Sequence, residues 1–249
     1  MKEITILPGF DKSGKREKYD RIVLRSGELW AVVGETGAGK SRFIKDIEML
    51  VAGDSVTKRH ILVDGRSLSG DEREHTSDSL ISHLGQRMSF TLDLSVGEFL
   101  ALHFLAAGKK EENTDEIARK ASLLSGESFG PDTRLSLLSG GQARALMTSD
   151  TAFVSDRPVV LVDEIENAGI DKTKALGMLL GRGKLVLLVT HDPHTALLAG
   201  KRIVIKNGGV ESILERSSEE EKLFLLLDEE YRRRNILIRR MRNREALCD

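Results

Sequence analysis

Residues 34–41 read Gly34-Glu35-Thr36-Gly37-Ala38-Gly39-Lys40-Ser41 and carry the strongest signal in the chain. They match the spacing G-x-x-x-x-G-K-[ST] of a phosphate-binding loop. The glycines let successive main-chain N–H groups curl around phosphates, and the N-terminus of a following helix adds positive potential. We therefore expect Lys40 to reach the β- and γ-phosphates of a nucleotide and the Ser41 hydroxyl to ligate Mg²⁺.

The residues on both sides of this loop have the pattern that such a loop requires. Leu29–Val33 is apolar and predicts a strand that runs straight into the loop. Ser41–Leu50 has helical spacing, with its apolar residues Phe43, Ile44, Ile47 and Leu50 on one side. The order strand, loop, helix supports nucleotide binding over a chance match.

Two short apolar runs further along the chain, Val159–Val162 and Leu185–Val189, predict strands buried on both faces of a parallel sheet. The first run ends in Asp163-Glu164. In enzymes with a phosphate loop such a strand lies beside the strand that carries the loop and aims its last carboxylate at the metal. We expect Asp163 to hold Mg²⁺ through water, and Glu164 to polarise the attacking water as general base.

The rest of the chain completes an α/β fold with a mostly parallel sheet. Ile4–Leu7, Ile22–Leu24 and Ile61–Val63 predict an N-terminal antiparallel β part, and Arg202–Ile205 with Val210 predicts a terminal hairpin. The block from Val96 to Leu138 is helical in pattern and predicts an inserted helical subdomain. From Ser217 onward the sequence predicts a long helix, acidic at first and strongly basic later.

Composition narrows the class of protein. The chain has 249 residues, of which 40% are hydrophobic and 31% charged, and its formal net charge of −1 gives no global attraction to nucleic acid. Its single cysteine, Cys248, excludes a disulfide scaffold and favours a reducing cytoplasm. The start of the chain has no secretion signal. We expect contact with a membrane only peripherally, through a partner, and no nucleic acid.

Leu138-Ser139-Gly140-Gly141-Gln142 resembles the signature of ATP-binding cassette (ABC) ATPases. Other matches follow in that family's order. Gln86 lies 46 residues after Lys40, like the glutamine of the Q-loop, and Asp171 ends a segment similar to the D-loop. His191 follows the second buried strand, like the switch histidine. The resemblance covers roughly Ile4 to Val210.

This resemblance implies an ATPase that uses ATP and Mg²⁺ and works as a dimer. In the family, the signature helix start, here Ser139, Gly140, Gly141 and Gln142, meets the γ-phosphate of ATP bound to the opposite subunit. One chain has one phosphate loop and one signature, so two chains meet head to tail. We expect two copies of this chain, with a sister subunit as the alternative partner. His191 would contact the γ-phosphate and the attacking water, while Gln86 would ligate Mg²⁺ and sense the γ-phosphate. The ATPase domain would span 1–216, with the helical subdomain at about 96–145 and a helical tail at 217–249.

Some details depart from the family pattern or stay open. Arg42, counted here with the nucleotide-binding loop, stands where many members carry a second hydroxyl. Ile165 replaces the usual proline, and residues 166–169 replace a turn that contains Thr and Ser. The aromatic residue that stacks on adenine is Phe10 or Tyr19. The tail helix either packs on the core through Leu223, Phe224, Leu227 and Tyr231, or offers its basic half to anionic lipid, nucleic acid or an acidic partner helix.

The sequence leaves the work done by ATP undecided. The leading hypothesis is the ATP-binding subunit of an ABC transporter, coupled to a separately encoded membrane permease through a groove near Met88–Leu94. The alternatives are a soluble ABC ATPase that remodels or reactivates a client protein, and a nucleotide sensor without turnover. A sensor would be expected to lose Glu164 or His191, and both are present.

Overall fold

The computed structural model describes residues 1–85, 90, 92–110, 113–167, 169–242 and 244–247. Its strands are β1 (Glu3–Leu7), β2 (Ile22–Arg25), β3 (Leu29–Val33), β4 (His60–Val63), β5 (Ile81–Leu84), β6 (Val159–Asp163), β7 (Leu185–Val189), β8 (Lys201–Lys206) and β9 (Gly209–Glu215). Its α-helices are α1 (Lys40–Glu48), α2 (Gly70–Leu80), α3 (Val96–Ala106), α4 (Thr114–Ser125), α5 (Gly140–Phe153), α6 (Lys172–Leu180), α7 (Pro193–Leu198) and α8 (Ser218–Arg242). Short 3₁₀ turns cover Leu135–Leu137 and Ile165–Asn167.

The main sheet has the strand order β5-β6-β7-β3-β8-β9. The neighbours from β5 to β8 are parallel, and β9 turns back on β8 as an antiparallel hairpin. The apolar runs of β6 and β7 are buried, as predicted from their composition. The expectation that β6 lies beside β3 is wrong, because β7 lies between them. The carboxyl ends of all three strands still reach one edge of the sheet, because all three run parallel.

A second, three-stranded antiparallel sheet has the order β2-β1-β4. It contains the predicted N-terminal strands and packs into the same apolar core as α1, where Ile4, Ile6 and Leu24 meet Phe43 and Ile47. The turn after β4 is formed by Asp64 and Gly65, both with positive φ. The predicted antiparallel β part is therefore present, and it supports the helix that follows the phosphate loop.

The block after β5 is helical, as its pattern predicted. Helices α3, α4 and α5 form one apolar core with β6, β7 and α6, in which Phe99, Leu100, Phe104 and Ile117 are buried. Helix α5 is buried along much of its length. It therefore connects the signature at its N-terminus to the sheet.

Residues 66–85 carried no prediction, yet they form α2 and β5. None of the side chains of α2 is buried, so the apolar periodicity that identifies most helices is missing. A local signal did exist, because Ser69 and Glu72 form a capping box at the start of the helix.

Helix α8 is the predicted tail helix. Phe224 and Tyr231 lie against the ring of His194 on α7, with ring centroids 5.7 and 4.7 Å away. His194 Nε2 lies 3.2 Å from the carboxylate oxygen Oδ1 of Asp228. The helix therefore packs on the core, although the expectation for Leu223 is wrong, since this side chain is 47% exposed. No helix within the described ranges has both the length and the apolar composition of a membrane span.

Candidate functional site

The phosphate-binding loop joins β3 to α1 and depends on two glycines. A Cβ atom on Gly34 would lie 2.3 Å from the carbonyl oxygen of Ile205, and Gly34 has a φ of 153°. A Cβ on Gly39, whose φ is 110°, would lie 2.8 Å from the Cα of Gly208. Both approaches are too close for any side chain, so the turn of the β8–β9 hairpin fixes the shape of the loop from outside.

The ammonium of Lys40 lies over the loop. It donates to the carbonyl oxygens of Gly34 at 2.7 Å and of Glu35 at 3.1 Å. Residues 35–37 and Ser41 are exposed. The first N–H groups of α1 have no acceptor within the helix, so an exposed cradle of N–H donors with one cation above it faces outward. N–H donors beside a cation have the chemistry that fits the phosphates of a nucleotide.

Lys12 is a contact of the loop that the sequence did not indicate. Its ammonium donates to the carbonyl oxygen of Gly37 at 2.9 Å, and its main-chain N–H donates to Asn207 O at 2.9 Å. Gly208 N–H donates to Ala38 O at 2.7 Å. The segment around Lys12 and the β8–β9 turn therefore hold the outer side of the phosphate loop.

Arg59 is fully buried beneath the loop, at the centre of a charged network. Its guanidinium pairs with Glu17 at 2.6 Å and with Asp46 on α1 at 2.9 Å, and it donates to Gly208 O at 2.8 Å. Burial acts to raise the pKa of Glu17, but the hydrogen bonds and charge of Arg59 outweigh burial and lower it. The network connects the N-terminal segment, α1 and the β8–β9 turn.

Asp163 and Glu164 lie at the carboxyl end of β6. Burial raises the pKa of Asp163, and the charge of Glu164 raises it further. Arg144 on α5 donates to the carbonyl oxygen of Asp163 at 2.6 Å. Glu164 has a φ of 47°, uncommon for a residue with a side chain, and its N–H donates to Val189 O at 3.0 Å. Two adjacent carboxylates, one of them partly desolvated, are a donor set that suits a divalent cation.

His191, two residues after the end of β7, lies close to Glu164 and to a third carboxylate, that of Glu166. Its Nδ1 lies 3.6 Å from Glu164 Oε1 and 3.5 Å from Glu166 Oε1. Glu166 also accepts a hydrogen bond from the Thr190 hydroxyl at 2.7 Å and from the His191 N–H at 3.3 Å. The structure therefore brings Glu164 and His191 together. It also places Glu166 in this group of side chains, although the sequence marked residue 166 only as part of a turn that differs from the family's usual turn.

The signature forms the start of α5. Ser139 and Gln142 make a capping box, in which Gln142 N–H donates to Ser139 Oγ at 3.2 Å and Ser139 N–H donates to Gln142 Oε1 at 2.9 Å. Ser139 Oγ also donates to Glu127 at 3.1 Å. Ser139 and Gly140 are exposed, and a Cβ on Gly140 would meet nothing within 4 Å. The signature is thus an open helix N-terminus, able to receive an anion from outside the chain.

The segment similar to the D-loop ends at the start of α6. Asp171 caps this helix by accepting from Lys174 N–H at 3.2 Å. The next residue, Lys172, is buried and donates to Asp192 and to Thr195 on α7, each at 2.6 Å. The segment is therefore fixed to the strand end that carries His191.

The remaining predicted residues differ in their placement. Phe10 is 38% exposed, whereas Tyr19 is partly buried and its hydroxyl donates to Glu17 at 3.2 Å. The side chain of Arg42 pairs with Asp46 on the same helix at 3.3 Å. Gln86 and part of the expected permease groove near Met88–Leu94 lie outside the described residues.

The family is shown by comparison with known proteins. The profile of the family described as "ABC transporter" matches residues 20–167. The chain is also 47% identical over 216 residues to an uncharacterized ABC transporter ATP-binding protein of Methanocaldococcus jannaschii, covering 86% of this chain and 83% of that protein. The chain is an ATPase of the ABC transporter family.

One further relative of this ABC ATPase is a longer protein, and one solved structure shares its fold. The macrolide export ATP-binding/permease protein MacB of Campylobacter jejuni is 30% identical over 197 residues, which are 77% of this chain but 30% of MacB. CbiO1 of Clostridium perfringens, part of the ABC transporter complex CbiONQ, has a similar fold, with a TM-score of 0.65 at 20% identity and 97% coverage of both chains.

A further fold neighbour is the dimeric structure of an ATP-binding cassette in a post-hydrolysis state bound to ADP and Pi. It has a TM-score of 0.60 at 20% identity, and the match covers 85% of this chain and 98% of that one. These neighbours confirm the predicted α/β fold.

Proposed function

We propose that this ABC ATPase binds and hydrolyses Mg-ATP at two composite sites between two copies of the chain that meet head to tail. The observation that carries the proposal is the meeting of three parallel strand ends. β3 leads to Lys40, β6 ends at Asp163 and is followed by Glu164, and β7 leads to His191. A phosphate-binding cradle, a carboxylate pair and a histidine on one edge of a sheet are the groups that phosphoryl transfer to water requires.

Each residue has a role in this proposal. Lys40 and the N–H groups of residues 34–42 bind the phosphates, and Phe10 stacks on adenine. Glu164 is the general base for the attacking water, and His191 contacts that water and the γ-phosphate. The uncommon backbone conformation of Glu164 supports its role, because strained residues cluster at active sites. Gln86 is proposed to add a contact to the γ-phosphate and the metal.

Ser41 and Asp163 would hold Mg²⁺, together with Gln86. When bound, the ion would neutralise charge on the phosphate oxygens. The donor chemistry supports this, because Asp163 and Glu164 are adjacent acids and burial raises the pKa of Asp163. A divalent cation would offset the repulsion between the two carboxylates.

The second copy would complete each site. Ser139, Gly140, Gly141 and Gln142 form an exposed helix N-terminus with its own capping box. We propose that this N-terminus binds the γ-phosphate of ATP held by the opposite chain. The dimeric cassette among the fold neighbours supports this arrangement.

The work done by ATP is proposed to be transport. Relatives of this chain include a macrolide export ATP-binding/permease protein and a component of the CbiONQ transporter complex. We propose that this chain acts in the cytoplasm on a separate membrane permease, with nucleotide-driven closing of the dimer as the moving step. The second candidate function is work on a soluble client protein in place of the permease. The test below distinguishes the two.

The test is ATP hydrolysis by purified protein at increasing concentration, with Glu164→Gln alongside. The variant retains the groups that bind nucleotide, so it should form a stable dimer on sizing in Mg-ATP while hydrolysis falls by about 10²–10⁴-fold. Wild-type turnover should rise faster than linearly with protein concentration. A wild-type protein that binds ATP but neither hydrolyses it nor dimerises would contradict the proposal. Stimulation by permease-containing membranes, but not by membrane-free extract, would distinguish transport from a soluble client.

A further inference from the structure

Helix α8 is fixed to its own chain along one side only. Near its start, Phe224 and Tyr231 stack on His194 of α7. At its end, Arg242 donates to the carbonyl oxygen of Ser125 at 3.1 Å. The helix spans 25 residues, and Asp228 is its only buried residue among those described. The opposite side of α8 is therefore a long exposed surface held in a defined orientation.

This exposed side carries a stripe of apolar side chains. Leu223, Leu226, Leu237 and Met241 are 47, 63, 45 and 61% exposed. Their spacing places them on one side of the helix, and Glu230 and Arg233 lie between the two apolar pairs on the same side. We call these six residues the α8 stripe. Aligned leucines of this kind are the pattern by which helices pair.

The charges along α8 identify the partner that the stripe fits. The acidic residues of α8 lie in its first half and, apart from Lys222, the basic residues lie in its second half: Glu219, Glu220, Glu221, Asp228, Glu229 and Glu230, then Arg232, Arg233, Arg234, Arg239, Arg240 and Arg242. A helix charged in this way attracts an antiparallel copy of itself, because each acidic half then lies against a basic half. A parallel copy would bring like charges together.

The stripe and the charges give the same antiparallel register. When Leu226 faces the partner's Leu237, Glu230 faces the partner's Arg233, and Leu223 lies beside the partner's Met241. Two-fold symmetry repeats each of these contacts, as a self-complementary interface requires. We propose that α8 pairs antiparallel with α8 of a second copy, a contact that rests on the homodimer proposed above and adds to it.

The position of α8 links this contact to the composite site. Arg242 lies 3.7 Å from Glu127 Oε1, and the other oxygen of Glu127 accepts the Ser139 hydroxyl. The end of α8 thus lies beside the signature, the surface that would meet the second copy. Two helices alone bury less than the roughly 1,600 Å² of a standard interface. The pairing would therefore hold the two copies near each other between rounds of ATP binding, raising their effective concentration.

Disulfide trapping in the full-length chain tests the register. Leu226→Cys with Leu237→Cys, in a Cys248→Ser background, places two cysteines about 16 Å apart within one helix. Cysteines in a disulfide have Cα atoms within about 7 Å of each other, so these two can bond only between copies. The matched control is Leu225→Cys with Ile236→Cys, which has the same spacing and exposures of 60 and 54% but lies about 100° around the helix.

We expect the Leu226/Leu237 pair to give mostly covalent dimer under mild oxidation without nucleotide, at least about 10-fold more than the control pair. Equal yields from the two pairs, or no dimer from either, would overturn the proposal. A charge test is independent of cysteine chemistry. Glu230→Arg should weaken dimerisation on sizing, and adding Arg233→Glu should restore it. Failure of the double variant to recover would also count against this register.

The outcomes separate this inference from the proposed function. If Glu164→Gln forms an ATP-dependent dimer but the Leu226/Leu237 cysteines never bond, the α8 contact is wrong and the composite ATPase stands. If the cysteines bond in the predicted register but Glu164→Gln never dimerises with ATP, the helix contact stands and the ATP-driven homodimer fails.

Discussion

At the scale of single residues, Glu166 has an unusual position. Its side chain is 11% exposed and lies between the strand end of β6 and that of β7. One oxygen accepts the Thr190 hydroxyl and the His191 N–H, while Oε2 is buried and has no hydrogen-bond partner among the described residues. Glu166 can affect ATP hydrolysis without contacting ATP, because it fixes the backbone that orients the proposed switch histidine, His191.

Removing this acceptor should therefore lower turnover more than nucleotide binding. We expect Glu166→Ala to reduce kcat by about 10–100-fold, because a small displacement of a reacting group can cost that much. ATP affinity should change by less than about threefold, since Lys40 and the loop are unaffected. Glu166→Gln keeps an acceptor oxygen and should retain most of the activity. Equal kcat values for the alanine variant and wild type would exclude this role.

The adenine contact can be assigned by a pair of aromatic variants. Phe10 is exposed beside the loop, while the ring of Tyr19 belongs to the core and its hydroxyl contacts Glu17. Phe10→Ala should weaken ATP binding by about 1–3 kcal/mol, the usual contribution of an aromatic ring stacked on a base. Tyr19→Phe should leave ATP affinity unchanged. Fluorescent-nucleotide titration measures both, and the reverse pattern would assign the contact to Tyr19.

At the scale of elements, the sequence indicated the candidate site residues more fully than the strands, helices and buried charges that hold them in place. The phosphate loop, the acidic pair and His191 were predicted because each follows an apolar strand, and that pattern is local. The position of β7 between β6 and β3 could not be predicted, because strand order depends on pairing between segments that are distant in sequence. Helix α2 was missed because it buries no side chain. Arg59 was missed because its partners Glu17 and Asp46 are far from it in sequence.

The Arg59 network should carry much of the stability around the loop. Arg59→Ala leaves the carboxylate of Glu17 buried without its cation and removes one of the two arginines that pair with Asp46. Breaking a buried ion pair in this way typically costs about 3–5 kcal/mol of unfolding free energy. Arg66→Ala is the control, because Arg66 is 73% exposed and lies 3.6 Å from Glu72, a surface pair that contributes at most about 1 kcal/mol. Denaturant unfolding compares the two variants. A loss below about 1 kcal/mol for Arg59→Ala would contradict the assignment.

The junction between α6 and α7 should depend on pH. Burial acts to raise the pKa of Asp192, but hydrogen bonds from Lys172 and Thr195 outweigh burial and lower it to about 2. The folded pKa is thus below the ordinary value of 3.8. The ionised Asp192 carboxylate therefore stabilises the folded state above about pH 4, and this contribution is lost as the pH falls toward about 2. The free energy of unfolding should fall less steeply with decreasing pH in Asp192→Asn than in wild type. Parallel curves of unfolding free energy against pH would refute this.

At the scale of the whole molecule, the proposed site needs two copies of the chain. Its phosphate loop and its signature are both exposed, and each ends in a helix N-terminus that can bind phosphate. The central claim is that the signature serves the ATP of another copy. Two complementary variants test this, because each disables a different half of the composite site.

The decisive measurement is ATPase activity after mixing Lys40→Ala protein with Gly140→Asp protein. A Cβ atom at position 140 would meet nothing within 4 Å in its own chain, so this variant should fold normally while its charge repels the partner's phosphate. Each variant alone should be inactive. In the head-to-tail arrangement a mixed dimer has one intact site, so the mixture should recover roughly a quarter of wild-type activity. No recovery in the mixture, or full activity of Gly140→Asp alone, would contradict the composite site.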